Sequence, residues 1–451
     1  MNPRPAPAGR DASESEVWQG VRDLVARAEP VSLGRFGSEK LRTDPVVWPE
    51  LLARCKFAQK ALGQGRRLLH LGCGDGLGTA VLTEFTADYL GVDTSPDVVA
   101  DAQATWGNDD RQFEHGVLDA ARPGFTGVVD FALPLAPAAL AARLEAIAGS
   151  LETDGVAVVG AEINGPASVA RLREALASRF LHVLPFAMHE DRVLAGCRGD
   201  EGYAMMVAAG PQTHAVAGVC VEPENTKGSA KPPASDKLSF GPFWSYVARQ
   251  TPRRLLYTLA YYRFAARLIG GASYGQPSRR VLDVGCGEGG GTHLIGQACG
   301  FAHGVDFDED SVAAAQQNWP SGHVRFDCTD LHDIEAGRFD AVVNFDVVEH
   351  LRPESADGFF TAMASRLTLQ GVAVVGTPNV TSQVYANAVT NAGHINLYDG
   401  PGLAAAMGRA FEHVMLFGAN DETVHTGFPP MCHYLIAVGM GPRAAAATAS
   451  S

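Results

Sequence analysis

RVLDVGCGEGGGT (residues 280–292) decides how this chain folds. An apolar run ends beside an acid, Asp283, and passes at once into Gly285, Gly287 and Gly289, after which a helical pattern begins. Strand, glycine turn, helix is the order that this reads. Glycines let the backbone come within contact distance of a ligand with no Cβ in the way. About twenty residues further on, Asp306 closes the next apolar run, where a carboxylate can accept from both hydroxyls of a ribose. A lone glycine pattern is weak; the compound of strand, turn, helix and spaced acid is the signal.

The stretch is written twice. RLLHLGCGDGLGT stands at 67–79, and the match continues with GVDTSPDVVADAQATW (91–106) against GVDFDEDSVAAAQQNW (304–319). GVAVVG recurs verbatim at 155–160 and 371–376, and FLHVLPFAM from Phe180 answers FEHVMLFGA from Phe411. A long repeat with few gaps means two copies of one fold. In the second copy, strands over 280–284, 302–305, 340–345 and 372–376 alternate with helices over 291–298, 311–318 and 356–367. That is the pattern of βαβ units on a parallel sheet. Runs at 411–418 and 432–438 follow too closely for a helical crossover, so they pair as an antiparallel hairpin. The fold class is α/β: two Rossmann-like domains, each a mostly parallel sheet ending in that hairpin. The expected layout is a tail and lead-in over 1–39, a first domain over 40–211, a linker over 212–237, a second domain over 238–442 and a tail over 443–451. The linker's polar run VEPENTKGSAKPPASDK (221–237) shows no periodicity.

Composition narrows the function. The chain has 451 residues, 46% of them hydrophobic, and a net charge of −14. That balance speaks against nucleic acid and anionic membranes as partners. No apolar run reaches spanning length, and MNPRPAPAGRDASESE lacks a signal peptide's apolar core. The eight cysteines are scattered without a ligand-like spacing. A cytoplasmic protein with reduced thiols and no structural zinc is expected.

At LDVGCGEGGG, GVDFDEDSV, CTDL and FDAVVNFDVVEHL the second copy resembles the class I S-adenosylmethionine-dependent methyltransferases. The resemblance covers about residues 270–440 and implies a seven-stranded sheet. It implies that Asp283 and the Gly285–Gly289 loop hold the methionine part of S-adenosyl-L-methionine, Asp306 the ribose, and Asp330 with Leu331 the adenine. Cys286, Phe307 and Asn344 complete the expected cofactor set. A dinucleotide-binding dehydrogenase, the rival, calls for a hydrophobic residue in place of Asp283.

The first copy departs from this pattern. His70 replaces Asp283, and Val117 aligns with Asp330. Asp346, Glu349 and His350 become Ala132, Leu135 and Ala136, and the second copy has extra residues within 377–400. The first copy is therefore read as degenerate, a possible pseudo-dimer half.

Ligands in such sheets bind beyond the carboxyl ends of the strands. That places His350, His394 and His425, with Asp421 and Glu422, at one polar mouth, and makes the three histidines the candidate general bases. Each has a bland alternative, His350 as a brace for its loop. Asp346 with Glu349 is an alternative cation site, and no metal is assigned. The leading reading is an O-methyltransferase for a hydroxylated small molecule or glycan. The runner-up is a quinone- or phenol-type enzyme, and a non-catalytic cofactor-binding protein is the reading from another class.

Overall fold

A computed structural model describes residues 13–189, 192–197, 199–212, 237–271, 277–335 and 339–443. Most of the expected linker, the last eight residues and the first twelve lie outside the described residues. The chain divides into two compact units. One is Ser32–Leu238, and the other runs from Ser239 and includes the residues up to Val31.

Each unit is built on an eight-stranded sheet with the same order, third–second–first–fourth–fifth–last–sixth–seventh. In the second copy the first five strands are Arg279–Val284, Gly300–Asp306, Val324–Cys328, Phe339–Phe345 and Leu367–Pro378. They pair in parallel. The last strand, Tyr434–Pro442, lies antiparallel between the fifth and the sixth, Phe411–Ala419. The sixth therefore points the same way as the parallel set, and its carboxyl end opens at the same edge. Seven strands were expected. The eighth is Val424–His425, a short stretch of the long loop that folds back on Gly418 and Ala419 at the free edge. Arg192–Ala195 does the same in the first copy. These strands cover an edge that would otherwise present unpaired backbone.

Both faces of the sheets are covered, which is why the central strands read as continuous apolar runs. In the second copy Leu282, Val342, Phe360, Met363, Phe411 and Leu435 meet in one core. In the first, Leu69, Val128, Ile147, Leu172, Phe180 and Met206 do so. No helix among the described residues is long and apolar enough to cross a membrane.

A helix before the first copy, Glu14–Val25, belongs with the second. It starts on a reciprocal cap: Ser13 Oγ accepts from Glu16 N at 3.2 Å, and Glu16 Oε2 accepts from Ser13 N at 2.7 Å. Val17, Val21 and Val25 form its buried stripe. Downstream, Phe240 N donates to Val31 O at 2.9 Å and Val31 N to Ser245 Oγ at 3.0 Å.

The acid inside each glycine turn holds the first of the two helices that lead into the sheet. Asp75 Oδ2 accepts from Gly37 N at 2.8 Å, at the start of helix Arg35–Thr43. Glu288 accepts from Gly241 N at 2.8 Å and Trp244 N at 3.0 Å, at the start of helix Pro242–Gln250. The first amides of a helix have no partner within it, and a buried carboxylate supplies one. Glu288→Ala leaves those amides unpaired and should lower the stability of the second unit by about 1–3 kcal/mol. Thermal or urea unfolding checks this, with Glu288→Gln recovering part of the loss. An unchanged midpoint for the alanine variant would remove Glu288 from the scaffold.

Candidate functional site

The glycine turn of the second copy is wound through left-handed backbone, with φ of 75° at Gly285, 50° at Gly287 and 81° at Gly289. A side chain on Gly285 would collide with Val347, whereas one on Gly287 would meet only open space. Asp306 ties this turn to the end of the second strand. Its Oδ2 accepts from Gly287 N at 2.9 Å and its Oδ1 from Asp308 N at 3.0 Å. Burial holds its carboxyl above the usual range.

Asp283 is fully enclosed. It accepts from Thr292 Oγ1 at 2.6 Å and from Tyr262 OH at 3.2 Å, and burial pushes its carboxyl up to about 7. It thus braces the helix behind the turn. Cys286 is buried, its thiol pushed well above its ordinary value by that burial, so it is a packing group. Asn344 donates through Nδ2 to Val284 O at 2.8 Å, while its buried Oδ1 has no partner. Phe307 is 64% exposed, directly after the Asp306 clamp. Leu331 is buried beside Asp330, whose Oδ1 accepts from His332 N at 2.7 Å and meets His332 Nδ1 at 2.6 Å.

Beyond the fourth strand a polar cluster is packed into the protein. Asp346 holds a left-handed φ of 59°, unusual for a residue with a side chain, and meets Arg254 Nη2 at 2.7 Å. Such strain stands where its surroundings enforce it. Glu349 is fully buried; its Oε2 accepts from Thr377 Oγ1 at 2.9 Å, and its Oε1 has no hydrogen-bond partner, with His394 Nε2 4.0 Å away. Burial, then the charge of Asp346, raises its pKa. His350 donates from Nδ1 to Gly393 O at 2.8 Å, because a carbonyl only accepts. That bond fixes the tautomer and leaves Nε2 with its lone pair. Burial lowers the pKa of His350 and brings that of His394 down to about 2. Both rings are therefore neutral near pH 7. They lie 5.1 Å apart, edge to face.

The extra segment of the second copy brings His394 here. Ile395 N and Asn396 N both donate to Glu349 O, at 2.9 and 3.0 Å. The ligand-type atoms of Glu349, His350 and His394 lie within 4.8 Å of one another, a spacing that can hold a metal ion. Asp346, expected as the acid partner of Glu349 in a cation site, is paired with Arg254 instead.

His425 stands apart from this pair. It lies on the short edge strand, and its Nδ1 accepts from Gly427 N at 3.0 Å within its own turn. The polar mouth expected from the sequence is also only part of the rim. Val380, Val384, Tyr385, Phe428 and Met431 are exposed there. Asn379 joins their two segments, donating through Nδ2 to Pro429 O and Cys432 O, both at 2.8 Å.

Four residues of the site escaped sequence reasoning: Trp18, Arg254, Tyr262 and Tyr434. Tyr434 stacks on Tyr261 at 4.5 Å, and its buried hydroxyl has no partner. The repeat itself held the signal for this last one, since Tyr203 is its counterpart.

The first copy keeps the turn and the clamp. Gly72, Gly74 and Gly76 have φ of 70°, 57° and 78°. Asp93 accepts from Gly74 N and Ser95 N, each at 3.0 Å. Elsewhere its polar groups close on one another. His70 meets Tyr89 OH at 2.9 Å, and burial brings its pKa down to about 4. Asp130, opposite Asn344, pairs with Arg143 at 2.7 Å. Tyr203 donates to Phe131 O at 2.5 Å.

A family model described as "Methyltransferase domain" matches residues 281–371. A probable S-adenosylmethionine-dependent methyltransferase of Mycolicibacterium smegmatis is 30% identical over 158 residues, 35% of this chain and 56% of that protein. A ubiquinone biosynthesis O-methyltransferase of Bradyrhizobium diazoefficiens is 32% identical over 119 residues, 26% of this chain and 46% of that one. The chain thus spans about half the length of these curated relatives. Among solved structures, a phosphoethanolamine N-methyltransferase of Haemonchus contortus aligns at 13% identity and a TM-score of 0.33, covering 88% of this chain and 99% of that one. Sheet order, glycine turn, spaced acids and sequence relatives agree: the second copy carries a methyltransferase domain of the class I S-adenosylmethionine-dependent type, and the first copy repeats its fold.

Proposed function

We propose that the second copy transfers a methyl group from S-adenosylmethionine to a hydroxyl oxygen, and that the acceptor is a phenol-type small molecule. The observation that carries this reading is His350: its Nδ1 proton is committed to Gly393 O, so Nε2 is left as the basic nitrogen of a neutral ring. The glycine turn, Asn344 Oδ1, Asp306, Phe307, Asp330 and Leu331 are the groups to hold the cofactor. The unpartnered Asn344 Oδ1 and the open space over Gly287 fit such a ligand. When bound, the cofactor supplies a methyl group on an electrophilic sulfonium.

The protein's part is to orient the acceptor and receive its proton. A phenol ionises near pH 10 in water, so a neutral imidazole aimed at its hydroxyl is a competent partner. Glu349 Oε1 and Tyr434 OH, buried without partners, stand ready to orient it. The exposed apolar side chains of the rim favour an acceptor with a ring or hydrocarbon surface over a sugar. The ubiquinone-pathway relative points the same way. A glycan acceptor, expected from the polar residues of the rim, is the comparison arm. The spacing of Glu349, His350 and His394 supports one rival arrangement, a divalent cation that activates the hydroxyl. The first copy, in which the counterparts of Asn344 and Tyr434, Asp130 and Tyr203, are paired within the protein, is proposed to be non-catalytic.

Two predictions follow from these roles. Asp306→Ala should weaken S-adenosylmethionine binding by about 1.5–3 kcal/mol, the value of a charged hydrogen bond. Calorimetry should show Asp93→Ala binding as wild type; the reverse pattern would exchange the roles of the copies. Second, His350→Ala should lower the single-turnover rate by about 10²–10⁴-fold on a phenol found by mass gain of one methyl group. The base works only when unprotonated, and burial lowers the pKa of His350. The wild-type rate should therefore stay level through neutral pH and fall below pH ~6.5. Activity that vanishes on chelation and returns with Zn²⁺ or Mn²⁺ would replace the free base with the cation. Methylation of glycans but no phenols would sink the acceptor class.

A further inference from the structure

The helix Glu14–Val25 stands against the site of the second copy, and one polar atom on it has nothing to bond. Trp18 Nε1 is buried without a hydrogen-bond partner. Its ring lies edge-on to Phe307 at 5.5 Å and to His350 at 5.9 Å. Phe307 follows the Asp306 clamp, and His350 is the proposed base. Trp18 therefore touches both the nucleoside side of the site and its reacting side.

The helix is fastened at both ends. Glu14 Oε1 accepts from Arg352 N at 2.7 Å, two residues past His350. Arg22 meets Asp308 at 3.2 Å and also pairs with Asp310, just past Phe307. Between these anchors, Val21 and the His350 ring lie so near Gly393 that a Cβ there would come within 2.9 Å of each. An indole N–H can only donate, and buried donors in folded proteins are nearly all paired. A ligand seated here can supply the acceptor that this atom lacks. Between Phe307 and His350, that ligand is the cofactor, whose ribose hydroxyls and carboxylate are acceptors.

We propose that Trp18 is a cofactor-binding residue of the second copy, its indole N–H donating to an oxygen of bound S-adenosylmethionine. This rests on the assignment of that cofactor to the second copy. It adds that the site is incomplete without a helix encoded before the first copy.

S-adenosylhomocysteine, the demethylated product, is the probe, and the full chain is the sample. Trp18→Phe keeps the ring and deletes the N–H. It should weaken binding by calorimetry roughly three- to tenfold, with the unfolding midpoint unchanged. The chain has five tryptophans. The indole N–H resonance missing from the Trp18→Phe spectrum should move downfield when S-adenosylhomocysteine is added to wild type. This second readout needs no stable variant beyond the one used for assignment. If wild type binds the probe while that resonance stays in place, Trp18 is only packing and the proposal fails, although the cofactor assignment stands. Equal affinity in Trp18→Phe overturns it likewise. Wild type that does not bind the probe at all overturns the cofactor assignment first.

Discussion

A carboxylate at the end of the second strand holds the glycine turn in place, and the site is laid out around that clamp. Three glycines in left-handed backbone make a turn with high entropy to lose on folding. Asp306 offsets this by accepting from two backbone amides, one within the turn and one beyond the strand. Charged acceptors make the stronger hydrogen bonds, and a carboxylate has lone pairs left over for a ligand. The first copy repeats the arrangement at Asp93 to within 0.1 Å at Gly74. The clamp therefore belongs to the scaffold of both copies, and it persists where the polar residues around it differ.

What separates the copies is whether the polar groups at matching positions, Asp130 against Asn344 and Tyr203 against Tyr434, are spent. In the first, Tyr203, Asp130 and His70 each find a partner inside the protein. In the second, Tyr434 OH, Asn344 Oδ1, Glu349 Oε1 and Trp18 Nε1 are buried without one. Unpaired polar groups in a low-dielectric interior are costly, so a set of them around one place is a site held ready at the expense of stability. The strained φ of Asp346 belongs to the same pattern. Asp346 pairs with Arg254 and raises the guanidinium's pKa, while burial keeps the histidines neutral. The cluster thus sets an ion pair next to two neutral imidazoles.

The sequence made the scaffold legible because local rules and the repeat agreed. Strand periods, glycine turns and acids at fixed spacing each depend on neighbours along the chain. His350 and His394 were legible because the degenerate copy lacks both. His425 shared that signal, yet its side chain turns into its own loop, and a difference between copies does not say where a ring points. Arg254 and Tyr262 were hidden because they sit in one helix as ordinary amphipathic residues. Only the fold brings them beside Asp346 and Asp283. The apolar rim was missed for the opposite reason. Tyr385, Phe428 and Met431 look like core residues until the sheet is seen to leave them outside.

The helix Glu14–Val25 completes a unit whose remainder begins at Ser239. On the ribosome this sets an order of events. The helix leaves the exit tunnel first, and its valine stripe has no surface to bury against until the second sheet exists. At ~5–20 residues per second, the ~200 residues of the first copy take roughly 10–40 s to synthesise. The first copy can fold in that interval, because all its strands come from one continuous stretch. The nascent helix must wait exposed, and twelve residues are too few to hold a helix in water without tertiary contacts. Its docking is a closure over a very long loop, which folding reaches late. A ribosome that stops early therefore releases a finished first domain and a loose N-terminal segment, with the second domain absent rather than half-made.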